Sequence, residues 1–211
     1  APTISTSGTL STFTACSGVV SSEQSFSVSG VNMQANLVVT PPSGYEVSTS
    51  SGSGFGSSVS LAPSSGTVSS TTVYVRTTTG AANADGGNIA CTTTGATTVN
   101  VATGSATINS APNVSVSVSE SSGNTNDDGI VCNGASITLS GGGANSYSWD
   151  NSITNASAFT ASSTTTYTVT GTDGNGCSNT AQQTITVNAL PTTPSAGSDI
   201  TVNLGQAIDM S

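Results

Sequence analysis

Short stretches in which apolar and polar residues alternate recur along almost the whole chain, and this pattern constrains the fold more than any other feature. Alternation with a period of two is typical of β-strands that bury one face. No window keeps an apolar period of 3.6 residues, because Gly, Ser or Thr interrupts every stretch long enough for a helix. The sequence therefore predicts an all-β fold.

Seven alternating stretches fall in the first half of the chain, and clusters of Pro, Gly, Ser and Asp separate them. Their centres are residues 26–28, 37–39, 45–47, 59–61, 73–75, 89–91 and 99–101. Short strands at this spacing, punctuated by turn residues, are typical of a β-sandwich. We expect one complete sandwich domain over residues 1–111.

A second series of alternating residues follows a linker at Ala111-Pro112-Asn113 and predicts a second sandwich over residues 112–189. Its apolar positions are Val114, Val116, Val118, Ile137, Leu139, Tyr147, Trp149, Phe159, Tyr167, Val169, Ile185 and Val187. We expect its core to centre on Trp149, together with Ile137, Leu139, Tyr167, Val169 and Ile185.

Residues 190–211 predict a linker followed by the first strand or strands of a further module, or a strand exchanged with a neighbour. Pro191 and Pro194 make the linker stiff and extended. The apolar residues after it share one face of a strand and suit addition to the sheet of another copy. These residues are Ile200, Val202, Leu204 and Ile208.

Charge excludes several kinds of partner. The net charge is −9 and Arg76 is the only cation, so the chain lacks the basic patch typical of nucleic-acid binding. The same balance gives no attraction to anionic membrane surfaces. No apolar run approaches the roughly 18 residues of a membrane helix, so we expect no membrane insertion.

Catalysis is not expected either. The chain has no His to serve as a general base and no Lys. Its ten acidic residues are scattered, mostly through Gly- and Asn-rich turns, where Asp commonly stabilises the turn itself. We therefore expect a protein that is not an enzyme.

Four cysteines lie two in each half, and none forms a C-x-x-C pair. Because zinc and thioredoxin-like sites commonly use the C-x-x-C spacing, its absence argues against both kinds of site. We predict two intradomain disulfides in an oxidising compartment, Cys16–Cys91 and Cys132–Cys177. Four free, buried thiols are the alternative.

The only cofactor that the sequence suggests is weakly bound calcium. Asn124, Asn126 and Asp128 precede Gly129-Ile130 with the spacing that opens an EF-hand-type loop. The bidentate acid expected at the twelfth loop position is missing, because Ala135 stands there. An ordinary Asn/Asp-Gly turn is the alternative interpretation.

The second half resembles a known class of repeats. The segments CNGASITL (132–139), YSW (147–149) and TTTYTVTGTDGNGC (164–177) are similar to immunoglobulin-like and polycystic-kidney-disease-like repeats of large Bacteroidetes surface proteins. Gliding adhesins exported by the type IX secretion pathway are the particular comparison. The resemblance implies tandem immunoglobulin-like sandwiches in a secreted, cell-surface protein. Residues 1–111 resemble another repeat class of the same proteins.

We therefore expect a non-catalytic structural or adhesive module of a surface adhesin or extracellular filament. Its partners would be other copies or further repeats, with surface glycans as a further candidate. Two alternatives remain: a filament subunit that assembles by C-terminal strand addition, and a carbohydrate-binding module of a secreted enzyme. O-linked sugar on the Ser- and Thr-rich surface would explain solubility with so few charges.

Overall fold

The computed structural model describes residues 1–123 and 125–191, and every regular element in them is a β-strand. No helix that could cross a membrane occurs in this part of the chain. We call residues 3–109 module 1 and residues 115–188 module 2. The strands of module 1 are β1 (Thr3–Ser7), β2 (Thr14–Cys16), β3 (Gln24–Val31), β4 (Leu37–Thr40), β5 (Tyr45–Ser48), β6 (Val59–Leu61), β7 (Val68–Thr77), β8 (Gly86–Thr92), β9 (Val99–Ser105) and β10 (Thr107–Asn109).

Module 1 has the strand order of an immunoglobulin-like sandwich. One sheet runs β1-β3-β7-β5, which corresponds to the A-B-E-D sheet of that fold. The other runs β6-β4-β8-β9, in which β4, β8 and β9 correspond to C, F and G and β6 is an additional edge strand. Each of the seven strands predicted in the first half is present. The prediction missed β1 and the short parallel pair β2–β10.

The core of module 1 follows from the alternation. In β3, Phe26 and Val28 point inward and are almost completely buried, while Ser27 between them lies nearer solvent. In β7, Val73 and Val75 are completely buried by the same rule. Phe13 and Tyr45 meet edge to face, with ring centroids 5.3 Å apart, and close one end of the core.

Module 2 is a smaller sandwich built on the same plan. Its strands are β11 (Ser115–Ser119), β12 (Ile130–Cys132), β13 (Ser136–Gly142), β14 (Ser146–Trp149), β15 (Ala158–Thr160), β16 (Thr165–Thr172) and β17 (Ser178–Asn188). One sheet runs β11-β13-β15 and the other runs β12-β17-β16-β14, which correspond to A-B-E and A′-G-F-C. The protein is therefore a tandem of immunoglobulin-like β-sandwiches.

The predicted core of module 2 is confirmed. Ile137, Leu139, Val169 and Ile185 are at most 1% exposed, and Trp149 and Tyr167 complete the cluster. Trp149 lies on β14 opposite Val169 of β16. This is the position at which immunoglobulin-like domains place a buried Trp between their two sheets.

The predicted residues of the C-terminal strand lie outside the described part of the chain. Ile200, Val202, Leu204 and Ile208 belong to residues 192–211, and the predicted strand addition stays a prediction. Within the described part, the two hydrophobic clusters are separate, and a short stretch of chain connects them. The first includes residues up to Ile108, and the second begins with Val114.

Candidate structural site at the module junction

A disulfide joins the two modules. Cys16, the last residue of β2, is bonded to Cys177, which lies in the turn between β16 and β17. Their Cα atoms are 5.6 Å apart although 161 positions separate them in the sequence. The bond therefore links the second strand of module 1 to the turn before the last strand of module 2.

The turn that carries Cys177 is held by its own backbone. Asp173 donates its backbone N–H to the Cys177 carbonyl over 2.9 Å. Its carboxylate Oδ1 accepts the N–H groups of Asn175 and Cys177, each over 2.9 Å. An Asp carboxylate in such a turn accepts backbone N–H groups that have no neighbouring strand to bond to. The cysteine is thus fixed in position by a turn with few free backbone groups.

Further contacts close the junction around the disulfide. Asn179 Nδ2 donates to the carbonyl of Pro112 over 3.1 Å, and Pro112 is itself buried. Cys177 is 0% exposed, and its Sγ lies 3.9 Å from the Asn109 carbonyl oxygen. The Cys177 side chain is therefore enclosed, while its partner Cys16 is half-buried.

The predicted Cys132–Cys177 disulfide is wrong because the two residues lie at opposite ends of module 2. Cys132 is paired with Asn188, the last residue of β17, whereas Cys177 immediately precedes the first. Ten or so strand residues span roughly 30 Å. A disulfide requires Cα atoms within about 7 Å.

The predicted Cys16–Cys91 disulfide is wrong for a similar reason. Cys91 is completely buried in the core of module 1, opposite Val99 at the start of β9. Cys16 lies opposite Asn109 at the end of β10, next to module 2. The two unbonded cysteines of the described residues are therefore Cys91 and the half-buried Cys132.

The predicted calcium loop is folded as a turn with its carboxylates in use. Asp128 Oδ1 accepts the N–H of Ile130 over 2.7 Å, and Asp127 Oδ1 accepts the N–H of Glu120 over 2.9 Å. Asn126 is exposed, and Asn124 lies outside the described residues. Within the described ranges, no group of three or more His, Cys, Asp or Glu side chains is arranged to hold a metal. Calcium binding at Asn124, Asn126 and Asp128 stays a prediction.

The single cation of the chain is used inside module 1. Arg76 on β7 donates from Nε to Glu46 Oε1 on the neighbouring strand β5 over 2.7 Å. Its guanidinium also lies 3.9 Å from the ring centroid of Phe55. This contact links β7 to the loop after β5.

The described surface has shallow clefts without reactive groups. Three of them lie on module 1, and their linings consist of small, apolar and hydroxyl- or amide-bearing side chains. None of these three linings contains a titratable residue. The junction, in contrast, combines a covalent bond between the modules, buried residues and a hydrogen bond from module 2 to the linker.

Comparison with known proteins gives only distant structural likenesses. The sequence matches no known protein-family profile, and no curated protein is significantly similar to it. Among solved structures, the chain is similar to a 282-residue C-terminal fragment of intimin in complex with the intimin-binding domain of the translocated intimin receptor. That alignment has 13% identity and a TM-score of 0.33, and it covers 87% of this chain and 63% of the intimin fragment, less than two thirds of it.

Two further structures are similar at the same level. The fibronectin(III)-like modules of Clostridium thermocellum CbhA align at 12% identity with a TM-score of 0.30, covering 92% of this chain and all of theirs. The two immunoglobulin domains of DIP-gamma align at 12% identity with a TM-score of 0.29, covering 87% and 97%. The assignment of the fold rests on the strand order of the two modules.

Proposed function

We propose that this chain is a non-catalytic structural and adhesive part of a secreted cell-surface protein, and that the junction disulfide transmits tension. The observation that carries the proposal is the Cys16–Cys177 bond between the modules. Disulfides persist in oxidising, extracellular settings, which supports secretion. The resemblance of residues 112–188 to repeats of Bacteroidetes gliding adhesins supports the same role and type IX export.

The position of the bond gives it a mechanical effect. A force that pulls on both ends of the chain enters through β1 and leaves through β17. It reaches Cys16 first and can pass directly to Cys177, since the two sulfurs are bonded. The 160 residues enclosed between the two cysteines, which are 161 positions apart, are then removed from the load path. Both hydrophobic cores lie mainly within that protected loop.

The surface supports a structural role over recognition of carbohydrate. Carbohydrate-binding modules commonly present exposed aromatic rings that stack on sugars, and the sequence has nine aromatic residues. All nine belong to the described residues, and each is buried or half-buried. Seven of the nine rings belong to the two hydrophobic clusters, and none of the nine is exposed, which favours a structural role over stacking on sugars.

Pulling single molecules by their two ends tests the proposal. The oxidised chain should extend only through the segments outside the disulfide loop. Reduction, or the Cys16→Ser/Cys177→Ser variant, should add roughly 550 Å of contour length, because 160 residues extend by about 3.5 Å each. Cys132→Ser is the matched control and should behave like the unaltered chain. An oxidised chain that releases the full length would contradict the proposal.

A further inference from the structure

Cys16 and Cys132 occupy equivalent positions in the two modules. Cys16 ends the short strand β2, which pairs in parallel with β10, and it lies opposite Asn109. Cys132 ends the short strand β12, which pairs in parallel with β17, and it lies opposite Asn188. In both modules the facing Asn is the last residue of the final strand.

The turn after each cysteine repeats the same hydrogen bonds. The residue after Cys16 donates its N–H to the Asn109 carbonyl over 2.8 Å, and the residue after Cys132 donates to the Asn188 carbonyl over 2.9 Å. Each cysteine carbonyl also accepts a bond of 3.0 Å from the N–H three residues later.

The backbone of the two turns matches as well. Gly18 and Gly134, two residues after their cysteines, have φ values of +80° and +84°. A proline then follows each terminal Asn by three positions, at Pro112 and Pro191. In both modules the chain therefore leaves the final strand in the same way, and a cysteine (Cys16 or Cys132) lies at the same corner, beside the end of that strand.

In module 1, the cysteine at this corner, Cys16, forms a disulfide to the next module. Cys16 reaches the turn between the last two strands of module 2, where Cys177 lies. The corresponding turn of module 1, between β8 and β9, contains no cysteine in residues 93–98. Connection thus runs in one direction, from the corner of one module to the last turn of the module that follows.

Cys132 is a corner cysteine without a partner among the described residues. Cys16 and Cys177 are bonded to each other, and Cys91 is enclosed in the core of the other module. Residues 192–211 contain no cysteine. Half-buried Cys132 can therefore be bonded only by a cysteine outside these 211 residues.

We propose that Cys132 is the attachment site for a further sandwich module that carries a cysteine in the turn between its last two strands. The inference deepens the proposed structural role and rests on it. The bond forms by thiol–disulfide exchange: the Cys132 thiolate attacks a mixed disulfide on the incoming cysteine and expels a small thiol. Overall, two thiols are oxidised and one small-molecule disulfide, such as oxidised glutathione, is reduced to two thiols.

An extended chain tests this directly. Residues 1–191 are followed by a second copy of residues 113–191, so that Pro191 stands where Pro112 stands in the first junction. In the added copy, Cys132→Ser removes its own corner thiol and Asn175→Gln marks its turn peptide by mass. After oxidation with glutathione, peptide mapping should find Cys132 bonded to the marked turn and Cys16 bonded to the unmarked one.

The first disulfide serves as the internal control. A sample that contains the Cys16–Cys177 bond has assembled its first junction, so a free Cys132 thiol in that sample overturns the inference. The same chain with Cys132→Ser at its original position should lose only the second bond. Neither result changes the pulling behaviour expected from the first junction, so the two proposals fail separately.

Protein from its natural source provides the second arm. Thiols are blocked before extraction, and Cys132 should then be found bonded to a cysteine of another sandwich module. The intact mass under non-reducing and reducing conditions shows whether that module belongs to the same polypeptide or to a separate chain. A blocked, free Cys132 beside an intact Cys16–Cys177 bond would refute the inference.

Discussion

At the scale of single residues, the two unbonded cysteines of the described chain differ sharply in environment. Cys91 is 0% exposed, and burial raises its pKa to about 11. Cys132 is half-buried at the corner of module 2. Because the thiolate is the reactive form, burial and the raised pKa both protect Cys91 from reaction.

Alkylation of the folded chain should therefore modify Cys132 and spare Cys91. At neutral pH, a pKa of about 11 leaves the Cys91 thiolate roughly 100-fold less populated than that of an ordinary cysteine. Mass spectrometry after timed labelling with a maleimide measures the difference. Cys132→Ser should abolish native labelling, and unfolding in urea should expose Cys91. Equal native rates at the two sites would contradict the structure.

Among single truncations in module 2, that of Trp149 should reduce the free energy of unfolding most. Trp149 packs in the core, and its Nε1 donates to Asn155 Oδ1 over 2.9 Å. Trp149→Ala should lower the free energy of unfolding by about 3–5 kcal/mol, as large core truncations do. Trp149→Phe keeps most of the packing and should cost clearly less. Urea denaturation followed by circular dichroism measures both, and a loss below about 1 kcal/mol for the alanine variant would show that the side chain is exposed.

At the scale of elements, the alternation of residues predicts long antiparallel strands well and short parallel ones poorly. All seven strands predicted in the first half exist, and six of them bury residues at alternating positions, which gives a recognisable period of two. The strands β2 and β12 have only three residues and, unlike the equally short β6, they pair in parallel. Their partners follow far along the chain, so nothing local indicates the pairing.

The disulfide at the module junction was not predicted from the sequence, because the position of Cys16 depends on one of these short strands. Assigning two cysteines to each half led to two intradomain disulfides, although β2 and β12 place Cys16 and Cys132 at module corners. A signal was nevertheless present: TACSG (14–18) and IVCNG (130–134) are similar, as are TINSAP (107–112) and TVNALP (186–191). Aligning the two halves would have made Cys16 and Cys132 equivalent and left Cys177 without a counterpart.

The turn between β13 and β14 should tolerate substitution less than the corner turn. Gly143 and Gly134 have φ values of +85° and +84°, so alanine is strained at both. A Cβ at Gly143 would also overlap the backbone carbonyl of Asn113, whereas Gly134 faces open space. Gly143→Ala should therefore destabilise module 2 by about 2 kcal/mol more than Gly134→Ala in urea denaturation. Equal losses would show that the contact with Asn113 does not form.

At the scale of the whole molecule, the disulfide couples two sandwiches that otherwise share few contacts. Cys16 and Cys177 enclose most of both modules, so the bond restricts the unfolded chain strongly. A loop of this length gives about 5 kcal/mol in the chain-entropy treatment. Cys16→Ser/Cys177→Ser should therefore unfold at lower urea concentration, with Cys132→Ser as the unaffected control. Unchanged unfolding would show that the bond contributes no stability.

The central claim is that the disulfide joins the modules instead of lying within either one. Peptide mapping of the 211-residue chain under non-reducing conditions, with free thiols alkylated after unfolding, tests it most directly. The structure predicts one cross-linked peptide that contains Cys16 and Cys177, together with alkylated Cys91 and Cys132. A Cys16–Cys91 or Cys132–Cys177 peptide would contradict the account.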